Sequence, residues 1–120
     1  MKAEINEKPR EFGVGEYRIS DYGRISFQAG EMVTLVSPGG RGCDVTAREW
    51  GFYLAPSLNA RLRDQGFKVG LVRNSQGKLF LNAVEIDKLD IYLEYLNHNE
   101  GSVVIQWLDE LVEGPVVCAD

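Results

Sequence analysis

At 120 residues, with 44% hydrophobic and 26% charged side chains, the chain has the composition of a folded domain with one core, which excludes a disordered, fibrous or disulfide-dense protein. Its longest apolar run, Ser102 to Leu108, falls far short of the roughly 18 to 20 residues of a spanning helix, and the charged start MKAEINEKPREF lacks a secretory apolar stretch, so a cytoplasmic protein without membrane contact is expected. The net charge of −5 divides into −1 over residues 1–31, +4 over 32–78 and −8 over 79–120, a split that either steers charged partners or is neutralised within the fold; we expect the second.

Residues 1–12 carry many charges and Pro9, and are expected to be mobile, as is the tail 114–120 after its Gly-Pro break; a single domain over 13–113 lies between them. From Glu16 to Val36 three short runs, EYRI, RISF and MVTLV, are separated by D-Y-G and Q-A-G-E, which predicts a three-stranded meander. After the loop SPGGRGCD, the sequence T-A-R-E from Thr46 fits a capping box, and Trp50, Tyr53 and Leu54 then share one face of a helix beginning near Ala47. Pro56 ends that helix and Ser57 caps a second, with Leu58 and Leu62 inward and Gly66 as its terminator.

FKVGLVRN and KLFLNAVE, joined by N-S-Q-G, read as a β-hairpin with Gly77 in its loop. Asp87 is expected to cap a helix through about Asn97 with Leu89, Tyr92, Leu93 and Leu96 inward. SVVIQWL, apolar on both alternating sets, reads as a central strand covered on two sides. The expected fold is α+β: a mixed or antiparallel sheet of five to six strands with two helical units, in the order βββ-α-ββ-α-β.

Each candidate for chemistry has a plainer structural explanation. Gly39, Gly40, Arg41 and Gly42 lie between a strand and an expected helix, where free amides can hold a small anion, and with Trp50 and Tyr53 nearby they form the expected ligand-binding set. The Gly-Lys-Ser/Thr ending of a P-loop and the G-x-G-x-x-G spacing are absent. Cys43 and His98 could make a thiol-imidazole pair, and His98 is explained as well by a helix C-terminus. Asp87, Asp90 and Glu94 have helical spacing, more simply the wet face of a helix. Two cysteines, Cys43 and Cys118, and one histidine are too few for structural zinc; both thiols are read as free, and no metal or cofactor is expected.

Arg61, Arg63, Lys68 and Arg73, with Lys78 and nearby aromatics, suggest a nucleic-acid groove, and the run from Thr46 to Arg63 echoes a helix-turn-helix. The overall acidity and the bulk of Trp50 and Leu54 weigh against both. Ile91, Tyr92 and Tyr95 offer more apolar area than a small sheet covers, which favours self-association as a homodimer.

The segment E-W-G-F-Y-L-A-P-S-L-N-A-R-L, residues 49–62, together with the later I-Q-W-L-D-E-L, resembles small orphan proteins of mobile integron-type gene cassettes. That group is functionally heterogeneous, so the resemblance implies no site residue. The expectation that remains is a small binding or protein-interaction module, homodimeric and without catalysis, with anion binding at the loop 37–43 and nucleic-acid binding as alternatives.

Overall fold

A computed structural model describes residues 1–98 and 101–111; Cys118 and the expected tail 114–120 lie outside the described residues. The mixed α+β character holds, but the strands form three small antiparallel sheets in place of one. The chain divides into two compact units, Met1–Val33 with Val45–Leu54, and Thr34–Asp44 with the described chain from Ala55 onward.

In the first unit, β1 (Lys2–Val14) pairs antiparallel with β2 (Tyr17–Ser26). Residues 1–12, expected to be loose, therefore lie almost wholly in a strand. The reversal comes at Gly15-Glu16, where Gly15 has φ +59°, the position that a two-residue II′ hairpin reserves for glycine. D-Y-G, expected to turn, instead continues β2: Gly23 has φ +126°, and a Cβ there would run into the Glu4 carbonyl, so only glycine lets the strands stay paired. EYRI and RISF are thus the two ends of one strand.

The third run does form a strand, β3 (Met32–Val36), in the sheet order β3-β4-β5 with β4 (Gly42–Arg48) and β5 (Gly51–Tyr53). The expected helix from Ala47 is therefore a hairpin, with Thr46 opposite Tyr53, Ala47 opposite Phe52, and the turn at Glu49-Trp50. The reason is lateral bonding: Ala47 N–H donates to Glu31 O at 2.8 Å and Ala47 O accepts from Gly30 N–H at 2.9 Å. Those bonds replace the i to i−4 ladder of a helix, and Val45, Phe52 and Tyr53 favour extended chain.

In the second unit, Ser57 Oγ accepts from Arg61 N–H at 3.0 Å, and one turn of helix, α1 (Arg61–Asp64), ends at Gly66 as expected. The hairpin β6 (Phe67–Arg73) with β7 (Leu79–Glu85) is formed as expected, with Gly77 in its loop. A short 3-10 turn at Ile86–Lys88 leads into α2 (Leu89–His98). β8 (Val103–Trp107) pairs with β6 alone, so the sheet order is β7-β6-β8. The central strand is β6, not the Ser102–Leu108 run, because β7 and β8 both pair with β6.

Both faces of β6 are covered. Phe67 and Val69 pack with Leu62, flanked by Cys43, Ala55, Leu58 and Leu108. On the other face Gly70 lies opposite Asn82 and Trp107; Tyr92 of α2 donates to Asn82 Oδ1 at 2.7 Å, and its ring lies 6.1 Å from that of Trp107. A Cβ at Gly70 would sit 3.1 Å from the Trp107 ring, so the missing side chain makes room for the indole. Leu62, with 0% exposure, joins α1 to this core. Leu62→Ala should lower the unfolding free energy by about 3 kcal/mol in urea titrations.

Candidate functional site

The glycine loop is occupied by its own chain. Ser37 N–H donates to Arg41 O and Gly40 N–H to Ser37 O, both at 2.9 Å, and Arg41 N–H donates to Ser37 Oγ at 3.2 Å. The Ser37 hydroxyl donates in turn to Glu85 Oε1 at 3.0 Å. Arg41 Nε lies 3.9 Å from the same carboxylate, its Nη2 lies 3.2 Å from Asp87, and Lys88 Nζ is 3.2 Å from Glu85. A Cβ on Gly39 would meet Glu85 Oε1. The position an external anion would take beside Arg41 thus holds the Glu85 carboxylate. Asp87 does not cap α2; the Arg41 guanidinium binds it and holds its carboxyl below the usual range.

Three of the four basic residues proposed for nucleic acid are fastened in the same way. Arg61 Nη2 donates to the buried Asp44 at 2.9 Å, and Asp44 also accepts from the Thr34 hydroxyl at 2.7 Å. Arg63 Nη2 donates to Asp109 O at 2.8 Å and to Asp109 Oδ2 at 3.3 Å. Lys68 Nζ sits 3.0 Å from Glu110 and 4.4 Å from the centre of the Trp107 ring. Arg73, exposed at the end of β6, lies beside the hairpin loop that carries Lys78.

Cys43 packs against the Leu62, Phe67 and Val69 cluster. Burial and, second, the Asp44 charge push its thiol pKa up, opposite to what a nucleophile needs. His98 ends α2, which covers the other face of the sheet, so the two cannot meet. Asp90 Oδ1 accepts from Ile91 N–H. Among the described residues, no group of three His, Cys, Asp or Glu could hold a metal ion, and no helix is long and apolar enough to cross a membrane.

The expected self-association set divides. Tyr92 is half-buried against Asn82, Trp107 and the stacked Tyr95 ring, and burial raises its pKa, with Tyr95 adding to the shift. Tyr92 therefore serves the fold, whereas Ile91 is 62% exposed on the outer side of α2.

In the first unit, Trp50 and Tyr53 lie on the β4–β5 hairpin with ring centroids 5.2 Å apart. Trp50 is 66% exposed, and it lines an open cleft of about 430 Å³ with Ala29, Gly30, Arg48 and Glu49. Gly39–Gly42 belong to the second unit.

A larger feature of the first unit escaped the sequence reading. Cross-strand pairs put Ala3 opposite Ile25, Phe12 opposite Ile19, and Val14 opposite Tyr17. Since partners in a ladder share a face, and β2 stays a strand through Gly23 despite its φ of +126°, these residues and Ile5 lie on one side of the ribbon. Lys2, Glu4, Glu11, Arg18, Ser20, Tyr22 and Arg24 lie on the other, and the Arg10–Asp21 pair shares the apolar side. Between Ile5 and Arg10 the register shifts, with Asn6 to Pro9 facing Tyr22 alone. That bulge moves the apolar set of β1 from odd to even positions and keeps it on the same face. Ile5, Phe12, Val14, Tyr17, Ile19 and Ile25 are all exposed. The signal in the sequence was a period-2 alternation on either side of Asn6–Pro9 and the Gly15-Glu16 turn.

No family model, curated protein or solved structure matches the chain.

The Asp44 network gives a pH signature. The Thr34 hydroxyl first, and Arg61 second, hold the Asp44 carboxyl below its ordinary range. A depressed folded pKa adds stability that is complete above the unfolded value, about 4, and is lost as pH falls through the folded value. Asp44→Asn should therefore lower the urea midpoint at neutral pH, and the gap to the unsubstituted protein should close in acid. A gap independent of pH would show that the charge of Asp44 is not what matters.

Proposed function

We propose that the chain is a protein-interaction module that acts as a homodimer and carries no chemistry of its own. The observation that supports this reading is the exposed face of the β1–β2 ribbon, apolar at both ends and crossed by a charged pair only at Arg10 and Asp21. A two-stranded ribbon in water is marginal unless its apolar face packs on something, and exposed contiguous apolar surface marks interaction sites. The groups with the most reactive character point the same way. Arg41 is neutralised by Glu85 and Asp87, and Cys43 lies in an apolar cluster with a raised pKa.

Sedimentation equilibrium from about 1 to 100 μM spans the range in which modest interfaces associate. The expected result is a mass rising to twice the 13.4 kDa of one chain. A single species of 13.4 kDa throughout that range would overturn self-association.

A further inference from the structure

Resting on the self-association proposed above, we infer that two copies pack through the apolar faces of their β1–β2 ribbons, about a twofold axis parallel to the strands, so that Arg10 of each copy meets Asp21 of the other.

The face carries one charged pair amid its apolar side chains. Arg10 and Asp21 are directly opposite across the ladder, with Nη2 3.3 Å from Oδ2, and the Arg10 guanidinium lies 5.0 Å from the centre of the Phe12 ring. Because paired residues lie at the same height along the ribbon, this pair decides how a second ribbon can be laid on the first. A twofold axis in the plane of the faces and across the strands would stack like charge on like charge when centred on this pair. An axis along the strands exchanges β1 with β2 and puts each Arg10 over the partner's Asp21.

The same operation sets every apolar residue over the copy of its own cross-strand neighbour. Phe12 meets the partner's Ile19, Val14 meets the partner's Tyr17, and Ala3 meets the partner's Ile25. Ile5, 63% exposed, meets Gly23, where the absent side chain leaves room. The contact is isologous, as a closed dimer requires, and produces two layers with nearly aligned strands, a common packing of sheets.

The area suffices. The 10-residue β2 sets the length of the ribbon at roughly 33 Å, and a ribbon with its side chains is about 15 Å wide, so a fully covered face contributes roughly 500 Å² per copy and about 1,000 Å² in total, the size of a modest, reversible interface.

The test is charge reversal with mixing. Arg10→Asp and Asp21→Arg should each weaken dimerisation by at least about 100-fold, because each places like charges in contact twice across the axis. An equimolar mixture of the two variants should regain the dimer mass. Within either variant the intrachain pair is like-charged, so recovery on mixing can arise only from contacts between chains. Circular dichroism checks the fold, and Ile5→Lys, at a position already largely in water, supplies an independent reading by abolishing the dimer without burdening the monomer. An unsubstituted dimer that survives Ile5→Lys, or variants that fold but do not recover on mixing, would overturn this geometry and leave the interaction reading standing. An unsubstituted protein that is monomeric throughout would overturn both.

Discussion

A β-ribbon of two strands has two faces and can bury neither of them by itself. That constraint governs the first unit. Its longest elements, β1 and β2, put most of their apolar side chains on one side, with the Arg10–Asp21 pair among them, yet none of the ribbon's residues is buried. The polar side is finished within the chain: Glu11 accepts a hydrogen bond from Ser20 and lies 3.9 Å from Arg18. Such surface pairs add little to stability. Any substantial stabilisation has to come from the apolar side.

The second unit satisfies the same constraint internally. Its central strand β6 has α1 and its approach on one face and α2 on the other, and its charges are matched from within. The basic middle of the sequence supplies Arg41, Arg61, Arg63 and Lys68, and Glu85, Asp87, Asp109 and Glu110 of the acidic final third, with Asp44, receive them. The charge asymmetry along the chain is thus largely neutralised inside this unit. Arginines that cluster in sequence are thereby each given an acidic partner from a distant part of the chain.

How much of this is legible in the sequence depends on the range of the interactions involved. The β6–β7 hairpin can be read because both strands and the loop at Asn74 to Gly77 carry local signals, and the end of α1 at Gly66 is equally local. The segment after Thr46 cannot be read locally. T-A-R-E fits a capping box, and Trp50 and Tyr53 fit a helical face, but a two-residue turn also brings those rings together, at 5.2 Å. What decides for a strand is the pair of bonds from Ala47 to residues 30 and 31, some sixteen positions away. The glycine loop is a related case: Gly39 to Arg41 has the composition of an anion loop, and only the fold brings Glu85 into it.

The bulge at Asn6 to Pro9 bears on whether the apolar face is incidental. In an uninterrupted strand, Ala3 and Ile5 would point away from Phe12 and Val14, because side chains alternate with period two. Four residues opposite one restore the phase, and Pro9 sits where a missing N–H breaks no ladder bond. A ribbon with water on both sides would gain nothing from such a correction, since either face would serve an apolar residue equally badly. One-sided sorting maintained across a change of register has a physical consequence only where one side is covered.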